Sequence, residues 1–129
     1  MPRADISSVS PFFIVHDVGV AMKFYTSSLG FQVTHKEPAS DPFFGIVARG
    51  GAMVMLKSVG VPSLPNSTRE SAARWDAYFY VPDPDALAAE FASRQVEFSV
   101  PLADTHDGLR GFEVKDSDGY VLFFGRPRM

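Results

Sequence analysis

Residues 17–31, with the sequence DVGVAMKFYTSSLGF, predict one helix with a defined start and a defined end. Asp17 can cap the first turn, because its side chain can accept hydrogen bonds from backbone N–H groups that lack a partner inside the helix. Gly30 favours the end of the helix. Between them runs an apolar stripe at helical spacing, formed by Val20, Phe24 and Leu29 with Ala21 and Tyr25 beside them.

Strand-like segments lie on both sides of this helix. Residues 9–16 are apolar and β-rich, and residues 31–38 predict a short strand. Residues 43–50 and 52–59 predict two further strands, joined by a hairpin turn at a Gly-Gly pair. The first half of the chain therefore has the predicted order β-α-β-β-β.

The same order starts again after residues 60–73, which are rich in Gly, Pro, Ser and Asn and lack periodicity, as in a loop or linker. Residues 74–81, RWDAYFYV, predict a strand. A helix follows over residues 83–94, with Asp83 as its N-cap and Pro84 at its first position. The remaining predicted elements are a strand over residues 96–102 and a hairpin over residues 111–125 that turns at Asp118-Gly119.

The two halves superpose at an offset of 66 to 68 residues. Ser10 falls on Asp76 at this offset, and Asp17 falls on Asp83. Two copies are too few for a solenoid, so the repeat indicates a pair of modules within one α+β domain. The predicted domain spans residues 1–129, with module one at 9–59, a linker at 60–73 and module two at 74–126.

Composition and charge argue against several classes of function. The net charge of −3 gives little support for binding a phosphate backbone, so no nucleic-acid partner is expected. The chain has no Cys, which excludes disulfides, thiolate metal sites and a Cys nucleophile. Residues 1–10 have no signal-peptide core, and no run approaches the ~20 apolar residues of a membrane span, so a cytoplasmic protein without a membrane partner is expected.

The two βαβββ modules, with DVGVAMKFYTSSLGF in the first and DSDGYVLFF closing the second, resemble the vicinal oxygen chelate superfamily. This superfamily includes glyoxalase I, extradiol dioxygenases, fosfomycin resistance enzymes and bleomycin resistance proteins. The resemblance covers residues 9–126. It implies a curved mixed sheet around a cleft, with helices on the outer face, and many members form dimers.

Metal-dependent members place His, Glu or Gln ligands on the first and last strand of each module. By their spacing to the flanking motifs, these positions fall on Ser10, Met55, Asp76 and Phe123. One carboxylate cannot supply the three or four N or O donors that hold Zn²⁺, Fe²⁺ or Mn²⁺. We therefore expect no metal and no other cofactor.

Within the superfamily, the bleomycin resistance proteins match the pattern best. They share a proline near the start of the first strand, here Pro11, and they resemble the segments DPFFGIVARGGAMVMLKSV and GLRGFEVKDSDGY. The resemblance implies a metal-free homodimer that sequesters an amphipathic small molecule without turnover, and a cationic, ring-containing ligand suits these residues best. The fold does not fix the identity of the ligand.

Strand alternation predicts which side chains face the cleft. If Asp76 faces it, so do Tyr78 and Tyr80, while Phe79 packs under the helices. For the aromatic residues, packing in the core or at a dimer contact is the alternative. The predicted ligand-binding residues are Phe12, Met53, Met55, Asp76, Tyr78, Tyr80, His106, Arg110 and Phe123.

Two of these residues allow a second interpretation. Asp76 can be a solvated strand end or can pair with Arg74 or Arg110. Arg110 can orient a ligand carboxylate or can pair with an acid at the end of the sheet. Two further acids, Asp116 and Asp118, are assigned to the chemistry of the hairpin turn.

Two other classes of function stay open. A lyase, isomerase or dioxygenase of the same superfamily could use Asp76 or His106 as a general base in a desolvated cleft. A protein-interaction module would instead have a closed and fully packed cleft.

Overall fold

The computed structural model describes residues 2–128, and their element order confirms an α+β fold of two βαβββ modules. The elements are β1 (Phe12–Ile14), α1 (Val18–Lys23), β2 (Gln32–Glu37), β3 (Phe44–Arg49), β4 (Ala52–Lys57), β5 (Ala77–Tyr80), α2 (Pro84–Ser93), β6 (Val100–Asp104), β7 (Leu109–Lys115) and β8 (Val121–Pro127). Within residues 2–128, no helix has the length and apolar character that crossing a bilayer requires.

The strands form two separate four-stranded mixed sheets, one from each module. Their spatial orders are β1-β4-β3-β2 and β5-β8-β7-β6, with the first and last strand of each module parallel. Phe12 pairs with Met55 in the first sheet, and Tyr78 pairs with Phe123 in the second, 66 and 68 residues further along. The registers therefore reproduce the internal repeat. The curved sheet implied by the resemblance is present in this chain as two hydrogen-bonded units.

The predicted starts of both helices are confirmed by their hydrogen bonds. The Asp17 carboxylate accepts a hydrogen bond from the backbone N–H of Val20 at 2.9 Å, and the Asp83 carboxylate accepts one from Ala86 at 3.0 Å. Pro84 is the first residue of α2, a position where an N–H group has no partner inside the helix.

The predicted apolar stripe of the first helix is wrong at Val20, whose side chain points to solvent and is 59% exposed. A stripe that starts at Val18 keeps the spacing of three and four residues on one side, whereas Val20 lies on the neighbouring side. After Lys23 the helix widens into a π-helical turn over Phe24–Ser28. The buried side of the helix and this turn consists of Val18, Ala21, Met22, Tyr25 and Leu29.

Strand β6 starts later than the sequence predicts. The predicted strand covers residues 96–102, whereas the observed strand runs over Val100–Asp104. The backbone N–H of Val96 donates to the Phe91 carbonyl at 3.0 Å, so Val96 is held in the turn that closes the end of α2. Pro101 is tolerated because β6 is an edge strand, where a missing N–H need not break a ladder.

Both helices and one face of each sheet contribute to a single core. The rings of Phe31 and Phe79, one from each module, meet edge to face with centroids 6.2 Å apart. From here on we term the sheet faces that pack under the helices in this core the inner faces, although the resemblance describes that side as lying outside the cleft. The opposite faces of the two sheets, which point away from the core, are the outer faces. The buried residues of the inner faces include Val47, Val54, Leu56, Phe112, Leu122 and Phe124.

The turn between β7 and β8 joins the two modules through its acids. Asp116 Oδ1 accepts hydrogen bonds from the backbone N–H groups of Asp118 and Tyr120, each at 2.9 Å, as turn chemistry predicts. Its Oδ2, however, accepts from the hydroxyl of Tyr25 in the first module at 2.7 Å, and Asp118 accepts from the backbone N–H of His16 at 2.8 Å. Burial raises the pKa of Asp116 to about 6, against the lowering effect of these hydrogen bonds. Asp116 and Asp118 therefore have a second role besides shaping the hairpin turn, which is to bond the second module to the first.

Candidate ligand-binding groove

A groove of about 900 Å³ lies between the two modules, along the free edge of β5. Its walls come from the segment before β1, the β3–β4 turn, strand β5 and one side of α2. The volume is typical of small-molecule sites, which span roughly 300–1,000 Å³. We term this cavity the intermodule groove.

Aromatic and Met side chains form part of the walls of the intermodule groove. Tyr78 and Tyr80 project from β5 with ring centroids 4.3 Å apart, and Met53 lines the groove from β4. The alternation along β5 is confirmed, because Phe79 is 9% exposed in the core while Tyr80 is 77% exposed. With Asp76, four of the residues predicted to bind a ligand therefore share one cavity.

An ion pair between Arg49 and Glu90 lines the groove and links the two modules. Two guanidinium nitrogens of Arg49 donate to the two carboxylate oxygens of Glu90 at 2.8 and 2.7 Å, and one also donates to the Leu29 carbonyl at 2.8 Å. Glu90 accepts a further hydrogen bond from Arg94 at 3.1 Å. The Arg49 hydrogen bonds hold the pKa of Glu90 below its usual range and raise the pKa of Arg49. Both groups stay charged and neutralise each other.

Asp76 also lines the groove, but both of its carboxylate oxygens accept hydrogen bonds from the backbone. Oδ1 accepts from the N–H of Asn66 at 2.7 Å, and Oδ2 accepts from the N–H of Val121 at 2.8 Å. The carboxylate therefore fastens the loop before β5 to strand β8. The alternatives for Asp76, a solvated strand end or a salt bridge to Arg74 or Arg110, are both wrong.

An aromatic surface continues from the groove onto the outer face of the second sheet. The Trp75 ring stacks on Phe123 with centroids 4.5 Å apart and meets Tyr78 edge to face at 5.2 Å. The Arg74 guanidinium lies 4.2 Å from the centroid of the Trp75 ring and is ion-paired with Asp107. We term this surface the module-two wall and define it by Trp75, Tyr78, Glu113 and Phe123.

Phe123, which was predicted to face the ligand cleft, lies on the outer face of the second sheet with only 2% of its surface exposed. Its ring fills the space above Gly111 and Gly125, which are paired across β7 and β8. A Cβ atom on either glycine would lie 2.5 Å from the ring. Since Trp75 stacks on this ring, Phe123 supports Trp75 and does not line the intermodule groove.

Glu113 and Trp75 are candidate site residues that the sequence analysis did not single out. Glu113 Oε2 accepts a hydrogen bond from Trp75 Nε1 at 3.1 Å. On β7, Phe112 and Val114 are buried in the core, so alternation directs Glu113 to the outer face. The same alternation was available in the segment GFEVK, once its Phe was assigned to the core.

The hydroxyl of Tyr78 is buried and has no hydrogen-bond partner within the part of the chain that the structure describes. Burial, and then the neighbouring Tyr80 and Asp107, raise the pKa of Tyr78, so the hydroxyl keeps its proton at neutral pH. A buried polar group without a partner costs about 1–3 kcal/mol. This hydroxyl is therefore an unsatisfied polar group beside the groove whose oxygen is closed to solvent.

Arg110 and His106 lie outside the groove. Arg110 donates to both carboxylate oxygens of Asp85 at 3.0 and 2.8 Å and to Asp104 at 3.4 Å, so the observed role is the pairing with acids at the sheet end. These hydrogen bonds raise the pKa of Arg110 and lower that of Asp85. His106 is exposed in the turn between β6 and β7.

Phe12 and Met55 lie on the outer face of the first sheet. The Phe12 ring is 52% exposed and contacts Phe44 at a centroid distance of 6.2 Å. Phe12 lines a smaller cavity of about 440 Å³ together with Asp76 and Tyr120. Met55 is half-buried beside Phe12 and lines neither cavity. Of the nine predicted residues, four line the groove, three lie on the outer faces and two lie at the sheet end. They are, in that order, Met53, Asp76, Tyr78 and Tyr80; Phe12, Met55 and Phe123; and His106 and Arg110.

The residues at the superfamily's metal-ligand positions do not fit a divalent metal. Phe123 has no donor atom, and Met55 offers only a soft thioether. The Asp76 carboxylate is already held by two backbone N–H groups. Among residues 2–128, no three His, Asp or Glu side chains are grouped so that they could hold a metal ion.

The fold and the groove define the class as a protein of two paired βαβββ modules with a cavity of small-molecule size. A family model, the Glyoxalase/Bleomycin resistance protein/Dioxygenase superfamily, matches residues 7–124. The chain therefore belongs to this superfamily, which confirms the resemblance. A search of curated proteins finds no match.

Solved structures share the fold over nearly the whole chain. A bleomycin-binding protein from bleomycin-producing Streptomyces verticillus, complexed with copper(II)-bleomycin, has a TM-score of 0.73 at 22% identity, covering 98% of this chain and 100% of that one. TnmS3, an antibiotic binding protein from Streptomyces sp. CB03234, has a TM-score of 0.65 at 23% identity, covering 98% of both chains. A glyoxalase-related enzyme from Clostridium phytofermentans has a TM-score of 0.72 at 13% identity, covering 96% and 97%. At these identities the likeness shows the fold.

Proposed function

We propose that this protein binds and sequesters a small amphipathic, aromatic molecule in the intermodule groove, without a metal and without turnover. The observation that carries the proposal is the groove of about 900 Å³, to which Tyr78, Tyr80 and Met53 are presented. Aromatic faces stack on the rings of a ligand, and a Met side chain adapts to irregular shapes.

Two of the proteins with similar solved structures are described as binding antibiotics, and this supports the proposal. One is a bleomycin-binding protein in complex with copper(II)-bleomycin, and the other is an antibiotic binding protein. A protein that holds an antibiotic in this way lowers the free concentration of the drug in the cell. A role in antibiotic resistance is therefore part of the proposal.

The proposal also includes a homodimer. The outer face of the first sheet points away from the core, and exposed apolar side chains such as Phe12, Phe43 and Met53 lie there or beside it. A second copy of the chain would cover this face and enclose the ligand more completely. Light scattering should give a mass near twice the 14.1 kDa of the chain. A mass of one chain at micromolar concentration would remove the dimer from the proposal.

Calorimetric titration of the purified protein tests binding directly. The probes are bleomycin and berberine, an amphipathic aromatic cation that is unrelated to it. We expect saturable heat with at least one probe. The absence of heat with both, at protein concentrations where the fold is intact, would contradict the proposed function.

A matched pair of variants tests whether the intermodule groove is the site. Tyr80→Ala removes an exposed groove ring, and we expect it to cost ~0.5–2 kcal/mol of binding, which is roughly 2- to 30-fold in Kd. Val20→Ala is the control, because it removes a solvent-exposed apolar side chain on α1 that lies outside the groove, and affinity should stay unchanged. Equal effects of the two variants would place the ligand elsewhere.

The enzymatic alternative needs Asp76 or His106 as a general base. A general base must be free to reach the proton that it removes. Both oxygens of Asp76 are bonded to backbone N–H groups, and His106 is exposed outside the groove. The geometry of these two residues therefore supports binding better than turnover.

A further inference from the structure

One carboxylate on the module-two wall differs from the other acids around it. Glu113 lies opposite Phe123 in the register of β7 and β8 and is half-buried on the outer face. One of its oxygens, Oε2, accepts the hydrogen bond from Trp75 Nε1. Within residues 2–128, no Lys or Arg nitrogen lies within 4.0 Å of this carboxylate. Its negative charge is therefore fixed in place by Trp75 and is not neutralised by the chain.

The neighbouring acids are engaged in a different way. Glu90 is ion-paired with Arg49, and Asp107 is ion-paired with Arg74. Both carboxylate oxygens of Asp76 accept hydrogen bonds from backbone N–H groups. Asp83 also lines the groove and accepts the Ala86 N–H at Oδ1 as the cap of α2. Glu113 is thus the acid of the module-two wall that has spare capacity to accept from a ligand.

The rings beside Glu113 suit a positive charge. The Trp75 ring is hydrogen-bonded to the carboxylate and meets the Tyr78 ring, and aromatic faces attract cations by about 0.5–2 kcal/mol. The chain itself demonstrates this, because the Arg74 guanidinium lies 4.2 Å from the centroid of the Trp75 ring. That guanidinium is neutralised by Asp107, so it does not compensate the charge of Glu113.

We infer that Glu113 selects ligands with a positively charged group and that the ligand's cationic part lies over the module-two wall beside Trp75. The inference rests on the proposed function, since Tyr78 belongs to both the wall and the intermodule groove. It assigns the charge selection to Glu113 in place of Asp76. The ligand class is an aromatic organic cation that reaches from the groove onto the wall.

Two probes of nearly equal shape test this assignment. N-methylacridinium carries a permanent positive charge, and acridine is measured at a pH where it is neutral. Binding is followed by calorimetry and by the fluorescence of Trp75, which is the single Trp of the chain and lies on the wall. We expect the wild-type protein to bind the cation about tenfold more tightly than the neutral probe, a difference of ~1.4 kcal/mol.

The variant Glu113→Gln keeps an oxygen that can accept from Trp75 Nε1 and removes only the charge. We expect it to lose the tenfold preference while its affinity for acridine stays unchanged. Glu97→Gln is the matched control, because Glu97 is exposed and lies outside the groove and the wall, and it should keep the preference. Thermal unfolding of each variant checks that the fold is intact.

Each other outcome counts against the assignment. If Glu113→Gln retains the preference, Glu113 does not select the charge, although the proposed function stands because both probes still bind. If the probes bind without changing Trp75 fluorescence, the ligand does not reach the wall, and a second copy of the chain covering the wall would give this result. If neither probe nor bleomycin binds the wild-type protein, the inference fails together with the proposed function.

Discussion

At the scale of single residues, the partners of a carboxylate decide its role in this chain. Asp76 binds backbone N–H groups and fastens a loop, while Glu90 binds Arg49 and links two modules. Glu113 is held at one oxygen by Trp75 and keeps its charge uncompensated. Asp116 is buried between a turn and the first module. The same chemical group therefore anchors a loop, links two modules or keeps an uncompensated charge, according to what surrounds it.

Asp116 should make stability depend on pH between its unfolded and folded pKa values. Burial raises the folded pKa to about 6 from the ordinary 3.8, so the folded state binds the proton more tightly. The free energy of unfolding should therefore fall as the pH rises from about 4 to about 6, by up to ~3 kcal/mol from this group. Urea denaturation at several pH values measures the fall.

The variant Asp116→Asn isolates this contribution, because Asn keeps an acceptor for the turn N–H groups but does not titrate. The difference in unfolding free energy between the wild-type protein and the variant should change over the same pH window and be constant above it. Other acids, such as Asp85 and Glu90, have lowered pKa values and cancel in this difference. A constant difference from pH 4 to 7 would contradict the assignment.

Asp76→Ala should destabilise the protein by about 1–3 kcal/mol, because it leaves the N–H groups of Asn66 and Val121 without acceptors. Denaturant unfolding at neutral pH measures this loss. Asp41→Ala is the control, since Asp41 is exposed and its removal should change stability by less than ~0.5 kcal/mol. Similar values for the two variants would mean that the loop is held by other contacts.

At the scale of elements, a glycine pair shapes the second sheet. Gly111 on β7 and Gly125 on β8 are register partners, and the Phe123 ring fills the space that their side chains would occupy. This lets a large ring lie flat on the sheet with Trp75 stacked against it. The module-two wall therefore depends on the absence of two Cβ atoms in neighbouring strands.

Gly111→Ala should destabilise the second sheet, since its Cβ would lie 2.4 Å from the Phe124 carbonyl oxygen and 2.5 Å from the Phe123 ring. Overpacking of this kind costs ~1–3 kcal/mol, and displacement of Phe123 should also change the fluorescence of Trp75. Gly51→Ala meets open space, and its free energy of unfolding should stay within about 1 kcal/mol of wild type. Thermal and urea unfolding of both variants test the contrast, and equal stability of the two would refute it.

At the scale of the whole molecule, contacts from both ends of the core hold the two modules together. Arg49 and Glu90 link β3 to α2, while Tyr25 and Asp116 link the first helical segment to the β7–β8 turn. The Tyr120 hydroxyl donates to the Ile14 carbonyl at 2.6 Å as well. The intermodule groove lies between elements that these contacts fix, so its shape depends on how the modules are joined.

A double-mutant cycle measures one of these links. Arg49→Met, Glu90→Gln and the double variant should give a coupling free energy of about 0.2–1 kcal/mol, because both side chains are about one-third exposed, at 33% and 35%, and solvent screens the pair. The coupling should weaken at high salt. A coupling of zero, or one that grows with salt, would mean that the pair does not join the modules energetically.

Much of the fold could be predicted from the sequence because its signals act between near neighbours. Asp17 and Asp83 cap helices through N–H groups three residues away, and the alternation along β5 places Phe79 inside and Tyr80 outside. The two errors have local causes of another kind. Apolar residues at helical spacing can be counted from Val18 or from Val20, and the buried side starts at Val18. Val96 is bonded to the Phe91 carbonyl at the end of α2 and so does not join strand β6.

The sequence by itself determined the two βαβββ modules, their repeat, the helix caps and the inner and outer faces of the strands, since these depend on spacing along the chain. Only the tertiary structure decided what each of the carboxylates near the groove and the wall binds. Asp76 meets Val121 across 45 residues, Trp75 meets Glu113 across 38, and Tyr25 meets Asp116 across 91. Hydrogen bonds over such separations depend on how the elements pack. Asp76, which was predicted to bind a ligand, is therefore bonded to the backbone, whereas Glu113, which is not ion-paired within residues 2–128, was not among the predicted residues.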